Sequence, residues 1–83
     1  MQDKLRQIMG RVFKVPFSHI TNETNVEMIE SWDSLNHINL ILALEQEFRT
    51  TFTPEEVIKM VSFPEILEVL KEKMQTVGSK IEK

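Results

Sequence analysis

The clearest repeat of hydrophobic residues predicts a helix from about Ser34 to Phe48. At about 100° per residue, one arc of this helix gathers His37, Leu40, Ile41, Leu44 and Phe48. We expect this arc to form the central face of the core. Asp33 or Ser31 is suited to cap the first turn, because a short side-chain oxygen accepts from N–H groups that have no partner within the helix.

A second apolar arc lies beside the first on the same predicted helix. It consists of Leu35, Ile38 and Leu42, which we call the second stripe, and it shares its arc with Ser34 and Glu45. A small bundle could bury part of this stripe. Any exposed part would instead be a docking surface for another protein, with acidic residues around it setting the orientation.

The segment 3–13 repeats with the same period and predicts the first helix. Pro16 stops this helix, because its ring removes a donor and disfavours helical angles at the preceding residue. From residue 15 to residue 30 no period is sustained, and 21–25 has the composition of a turn. A loop of this length needs anchors in a compact domain. The expected anchors are Phe17, Ile20, Val26, Ile29 and Trp32.

Two capping signals predict a short third helix and a longer fourth one. Thr53 and Pro54 announce the third helix as its cap and first residue. Ser62 begins a second capping box, and its helix is expected to end before Gly78, leaving residues 76–83 as a frayed tail. The sequence therefore predicts an all-α fold: a small four-helix bundle with three longer helices, one short helix and a long first loop.

The length of 83 residues allows one domain with one core, so we expect residues 1–83 to be a single free-standing domain ordered over about 3–75. The chain has no cysteine, which excludes disulfides and thiolate metal sites, and no metal site is expected. No apolar run approaches the roughly 20 residues that span a bilayer, and residues 1–4 are unlike a secretory signal. The expected location is the cytoplasm, without membrane insertion.

The net charge of −3 conceals a strong asymmetry. No Lys or Arg occurs from Val15 through Phe48, whereas six acidic residues do: Glu23, Glu27, Glu30, Asp33, Glu45 and Glu47. Binding of nucleic acid relies on clustered Lys and Arg at the phosphates. The acidic middle of the chain therefore argues strongly against a nucleic-acid binder.

The residues Asp33-Ser34-Leu35, followed by a helix that ends Leu44-Glu45-Gln46-Glu47-Phe48, resemble the prosthetic-group site of acyl carrier proteins. The resemblance extends over nearly the whole chain, including the long first loop. It implies that Ser34 is esterified by 4′-phosphopantetheine, whose thiol carries acyl groups as thioesters, with Asp33 and Leu35 beside it. A phosphodiester there would meet unpaired N–H groups and the positive end of the helix dipole, which favours an exposed negative group by about 0.3–1 kcal/mol.

The same resemblance implies a monomeric carrier that is not itself an enzyme. Its expected partners are a phosphopantetheinyl transferase and acyl-activating, acyltransferase or synthase enzymes with basic docking surfaces. The expected partner-binding residues are Leu35, Ile38, Leu42 and Glu45. Carriers of bulk fatty-acid synthesis have carboxylates along this helix and a glycine before the motif. Here Asn36, Asn39 and Gln46 are neutral and Trp32 replaces the glycine, which favours a specialised pathway such as polyketide, peptide or surface-lipid assembly.

Two other functions have to be weighed against the carrier. A hydrolase could use Ser34 with His37 and Asp33, but the sequence supplies neither an oxyanion hole nor a strained nucleophile elbow. We therefore expect His37 at the edge of the core and Trp32 as an anchor of the loop end. The remaining alternative is an unmodified helical protein-interaction adaptor, in which Ser34 only begins a helix.

Overall fold

A computed structural model of the chain describes the backbone of residues 2–82 and the side chains of residues 2–74. Its α-helices are α1 (Gln2–Phe13), α2 (Ser34–Phe48), α3 (Pro54–Lys59) and α4 (Phe63–Glu82). The first loop contains two single-turn 3-10 helices, Phe17–His19 and Val26–Met28. No strand occurs within residues 2–82, and the predicted all-α bundle of three longer helices and one short helix is confirmed. None of the helices, over the part of the chain described, combines the length and apolar character needed to cross a membrane.

The core lies between α1, α2 and α4. Its fully buried side chains include Leu5, Ile8, Met9, Phe13, Leu40, Leu44, Met60, Phe63, Ile66 and Leu70. The predicted central face of α2 is confirmed for Leu40, Ile41 and Leu44, while His37 and Phe48 are half-buried at its edges. The loop end is held by Trp32, which is buried and stacks on Phe13 with ring centroids 4.8 Å apart.

Helices α1 and α2 end in the same way, each with a non-glycine residue in the left-handed conformation. Lys14 has φ 58° and Arg49 has φ 53°. The next amide then donates back to a carbonyl five residues earlier, from Val15 to Gly10 at 3.0 Å in the first case. This pattern satisfies carbonyls that would otherwise lack partners. Helix α1 therefore ends through the turn at Lys14, before the predicted stop at Pro16.

The first loop contacts α1 through its backbone at Gly10. A Cβ atom at that position would lie 3.0 Å from the carbonyl oxygen of Val15 and 3.8 Å from the Cα atom of Phe17. Backbone rather than a side chain makes this contact. Phe17 is 45% exposed, and the prediction that it anchors the loop was wrong. Ile20, Ile29 and Trp32 are buried anchors, and Val26 is half-buried against the core.

Backbone hydrogen bonds join the first loop to the start of α4. The Val26 amide donates to the Val61 carbonyl at 2.9 Å, and the Phe63 amide donates to the Thr24 carbonyl at 2.7 Å. Thr24 is buried, and its hydroxyl accepts from the Thr21 amide at 2.8 Å. The segment before α2 and the segment after α3 therefore lie side by side.

Both predicted capping signals begin helices. The Thr53 hydroxyl accepts from the Glu56 amide at 3.2 Å, and the Glu56 carboxylate accepts from the Thr53 amide at 2.9 Å. The Ser62 hydroxyl accepts from the Glu65 amide at 3.3 Å and starts α4. The prediction that α4 ends before Gly78 was wrong, since the helix runs to Glu82. A glycine inside a helix costs only about 1 kcal/mol relative to alanine, which is too little by itself to end a helix. Side chains beyond residue 74 lie outside the described ones, and fraying of residues 76–83 stays a prediction.

We expect protonation of Glu56 to weaken the carboxylate half of the α3 capping box and the tie from α3 to α4. The hydrogen bond from the Thr53 amide, followed by the bond from Lys73 at 2.9 Å, holds the pKa of Glu56 below its ordinary value. The folded state therefore favours the carboxylate, and this contribution to the free energy of unfolding is present at neutral pH and lost as the pH falls through the lowered pKa.

Urea unfolding of Glu56→Gln against pH measures this contribution. The variant should be less stable than the wild type at neutral pH, and the difference should close in acid. Glu55→Gln, on the same turn but exposed, is the matched control and should show no such closure. A pH-independent difference for Glu56→Gln would contradict the assignment.

Candidate functional site

Ser34 is the first residue of α2 and is exposed. Asp33 provides the cap: its backbone is extended, and its Oδ1 atom accepts from the Asn36 amide at 2.9 Å. Ser31, the other candidate cap, instead donates from its hydroxyl to the Phe13 carbonyl at 2.7 Å. Because Asp33 does the capping, the Ser34 hydroxyl is left available for chemistry at the start of the helix.

A hollow of about 360 Å³ opens beside Ser34. Its lining residues are Val26, Trp32, Asp33, Ser34, His37 and Val61. They come from the end of the first loop, the first turn of α2 and the segment after α3, which the backbone hydrogen bonds described above bring together. The sequence analysis missed Val26 and Val61 as site residues, because neither belongs to a periodic pattern.

His37 lies one turn after Ser34, but both of its ring nitrogens are engaged elsewhere. Its Nδ1 atom accepts from Trp32 Nε1 at 3.0 Å, and its Nε2 atom lies 2.9 Å from the Val57 carbonyl oxygen. A general base for Ser34 would need one nitrogen free to take the hydroxyl proton. The arrangement therefore provides no Ser-His nucleophile, and the expected positions of His37 at the core edge and of Trp32 as an anchor are confirmed.

The residues around Ser34 fit the covalent group that the resemblance implies. The hydroxyl is exposed, and the first amides of α2 have no acceptor within the helix, which suits a phosphodiester. The hollow beside it has apolar walls from Val26, Trp32 and Val61, against which a flexible arm could lie. The described residues contain no group of three or more His, Cys, Asp or Glu side chains arranged to hold a metal ion.

The second stripe is exposed along its whole length. Leu35 is 69% exposed, Ile38 55% and Leu42 53%, although they share a helix with fully buried leucines. Apolar side chains are also exposed on α3 and directly after it, at Ile58 and Val61. The sequence predicted the helix that contains Ile58, but not the exposure of this side chain. Exposed apolar groups concentrated in this way are typical of protein contact sites.

Several acidic residues near the stripe are already engaged within the protein. The Glu45 side chain is half-buried, and its Oε2 atom accepts from the Phe52 amide at 3.0 Å, holding the link after α2. Glu47 lies 3.2 Å from the Lys4 ammonium. Glu27 and Glu30, which precede Ser34, are exposed. The exposed carboxylates that are not held by such a contact, Glu27 and Glu30, therefore lie before α2 rather than along it.

Known proteins resemble this chain in fold and in about 30% of the aligned sequence, although no family model matches the chain. An acyl carrier protein of Buchnera aphidicola subsp. Baizongia pistaciae (strain Bp) is 30% identical over 71 residues, which is 86% of this chain and 91% of that protein. A solution NMR structure of a holo acyl carrier protein from Geobacter metallireducens is 31% identical, with a TM-score of 0.80, and the match covers 98% of this chain and 90% of that one. Both likenesses extend over most of the chain, so they concern the whole domain and not one motif.

Proposed function

The chain belongs to the acyl carrier protein family, and from that premise we propose that Ser34 carries a 4′-phosphopantetheine arm that holds acyl groups as thioesters. The observation that carries this proposal is the position of Ser34. It is exposed at the start of α2, free of the capping role that Asp33 performs, and beside a hollow with apolar walls. Incubation with a phosphopantetheinyl transferase, coenzyme A and Mg²⁺, followed by intact-protein mass spectrometry, tests it directly.

The chain contributes the nucleophile and its placement, and the transferase has to contribute the base. The Ser34 oxygen would bond to the pantetheine-bearing phosphorus of coenzyme A while the pyrophosphate bond breaks and 3′,5′-ADP leaves. The hydroxyl proton would go to a base of the transferase, because both nitrogens of His37 are occupied. Asp33 would hold the first turn so that the hydroxyl stays outside the fold. Once attached, the arm supplies the thiol that the cysteine-free chain lacks. The chain would therefore act as a carrier and not as a catalyst.

We propose the second stripe as the surface that meets partner enzymes. The expected partners are the transferase itself and the acyl-activating, acyltransferase or synthase enzymes that load and use the arm. The stripe begins at Leu35, next to Ser34, and its apolar side chains are more than half exposed. Burying them in a partner's groove would remove apolar area from water, while acidic residues orient the approach. Glu45 would orient partners only in part, because its carboxylate also accepts a hydrogen bond from the Phe52 amide.

Truncating the stripe should weaken loading more than removing the charge of Glu45. We expect Ile38→Ala to raise KM for this protein with a transferase by about fivefold or more, as loss of an interface anchor does. Glu45→Gln keeps an oxygen for the Phe52 amide and removes only the charge, so it should mainly slow association at low salt. The measurement is the loading rate against protein concentration at two ionic strengths.

Ile58→Ala is the matched control, because it removes the same atoms from an exposed isoleucine on α3. A similar rise in KM for both isoleucine variants would extend the contact surface onto α3. An unchanged KM for Ile38→Ala would show that the stripe is not the docking surface.

We propose that the carrier serves a specialised pathway rather than bulk fatty-acid synthesis. The neutral residues on α2 support this proposal. One of them, Asn36, donates from its side-chain Nδ2 atom to the Ser31 carbonyl at 2.8 Å. Asn39 in turn donates to Asn36 at 3.1 Å. A carboxylate at position 36 could not donate, so a more acidic helix would lose this contact to the loop end. Acylation by enzymes of different pathways, compared side by side on the loaded protein, tests this proposal.

A further inference from the structure

The hydrogen bonds of His37 determine which tautomer the ring adopts. The indole nitrogen of Trp32 can only donate, so the Nδ1 atom of His37, 3.0 Å away, must accept. The ring hydrogen of the neutral imidazole is then on Nε2, which donates to the Val57 carbonyl oxygen at 2.9 Å. Each nitrogen has one partner, and exchanging the tautomer would lose both bonds. His37 therefore needs the neutral ring with its hydrogen on Nε2.

These two bonds join three segments of the chain. His37 belongs to the second turn of α2, Trp32 ends the first loop, and Val57 is in the middle of α3. Helix α3 has only six residues, too few to be stable without contacts to the rest of the fold. Glu56 ties it to Lys73 of α4 at 2.9 Å. The bond from His37 ties it to α2 as well.

The joined segments meet at the hollow beside Ser34. Trp32 and His37 line this hollow, and so does Val61, which follows α3. A change in the position of α3 would therefore move a wall of the hollow together with the exposed Ile58. The ring of His37 also lies parallel to Trp32, with 25° between the planes and 6.2 Å between the centroids.

We infer that His37 is a positioning residue, which holds α3 and the loop end around Ser34 and so presents the serine to the transferase. This inference rests on the proposed function and deepens it. His37 does not touch the reacting hydroxyl, so its removal should raise KM for the carrier and leave kcat nearly unchanged. The step remains transfer to the Ser34 oxygen, with the base on the transferase.

Two substitutions separate the two hydrogen bonds. The Oδ1 atom of asparagine and the Nδ1 atom of histidine are separated from Cβ by the same number of bonds. His37→Asn therefore keeps an acceptor for Trp32 and loses the donor to Val57. The side-chain nitrogen of glutamine and the Nε2 atom of histidine are also separated from Cβ by the same number of bonds. His37→Gln therefore keeps the donor to Val57 and loses the acceptor for Trp32. His37→Leu loses both. His19, the other histidine of the chain, is exposed in the first loop, and His19→Gln is the control.

The first measurement uses the protein before loading, so it does not depend on the proposed function. Nitrogen-15 NMR of the His37 ring should show the hydrogen on Nε2. Hydrogen exchange should then be about fivefold faster for the α3 amides in His37→Asn, and about fivefold faster for the Trp32 indole in His37→Gln, as expected for one lost hydrogen bond. His37→Leu should show both changes and His19→Gln neither.

The second measurement is the kinetics of loading. His37→Leu should raise KM about fivefold, and His37→Gln should restore much of it by keeping α3 in place. A ring hydrogen on Nδ1, or exchange in His37→Leu equal to that of the wild type, would overturn the inference. The inference would also be overturned if His37→Leu showed faster hydrogen exchange of the α3 amides but an unchanged KM. If the wild type is never loaded, the proposed function fails along with the role in loading, while the exchange data still decide whether His37 positions α3.

Discussion

We expect Ser34→Ala to gain no mass when it is incubated with a phosphopantetheinyl transferase, coenzyme A and Mg²⁺, whereas the wild type gains one 4′-phosphopantetheine. The effect is a complete loss, because Ser34 has the only hydroxyl in the first turn of α2. The substitution should leave the free energy of unfolding nearly unchanged, since Ser34 is exposed and the cap is made by Asp33. Intact-protein mass spectrometry and urea unfolding are the two measurements.

Ser18→Ala is the control for this experiment, because Ser18 is also an exposed serine at the surface of a helical turn. It should be loaded like the wild type. Ser31 is less suitable, since its hydroxyl donates to the Phe13 carbonyl. If Ser34→Ala were still loaded, the 4′-phosphopantetheine would have to be attached to another residue. An unmodified wild type, tested with several transferases, would instead favour the adaptor that binds partners through the second stripe alone.

The largest expected effect on stability is that of Leu44→Ala. Leu44 is fully buried on the central face of α2, and replacing a buried leucine with alanine costs about 2–5 kcal/mol through lost burial and the cavity left behind. Small domains have only about 5–15 kcal/mol of stability in total, so this change removes a large share. The midpoint of urea unfolding should fall, and circular dichroism should show whether the helices persist at neutral pH.

Leu42→Ala is the matched control for Leu44→Ala. It removes the same atoms from the same helix two residues earlier, but Leu42 is 53% exposed. Its free energy of unfolding should change by less than about 0.5 kcal/mol, as for most surface substitutions. Equal losses in the two variants would mean that the second stripe is buried in solution, by self-association or otherwise, and would contradict the proposed docking surface.

The helices could be predicted because their signals are local. A helical period places Leu40 and Leu44 on one face, and the residues that cap α3 and α4 lie within one turn of the amides they satisfy. The errors occurred where the decisive contact is distant or the local preference weak. Backbone lies against Gly10 while Phe17 is exposed, and Gly78 does not end α4.

The site divides in the same way. The sequence predicted the part of the site that lies within one turn at the start of a strongly periodic helix. This part is Ser34, the cap at Asp33 and the exposed neighbour Leu35. The engagement of Glu45 with Phe52 could not be predicted, because it depends on how the chain turns back after Arg49. Replacing Glu45 with lysine would reverse its charge and also break the hydrogen bond to the Phe52 amide. Glu45→Gln is therefore the better test of the charge alone.

The sequence by itself determined the fold class, the bounds of α2 and the serine at its start, because period, capping and helix order are properties of neighbouring residues. Only the tertiary structure decided what surrounds that serine. Val61 is 27 residues from Ser34 along the chain, and Val57 is 20 residues from His37, so neither contact has a local signal. They meet because Glu56 ties α3 to Lys73 of α4 and the loop before α2 pairs with the segment after α3. Packing thus placed the hollow, the tautomer of His37 and the exposure of the second stripe, each of which depends on neighbours that only folding brings together.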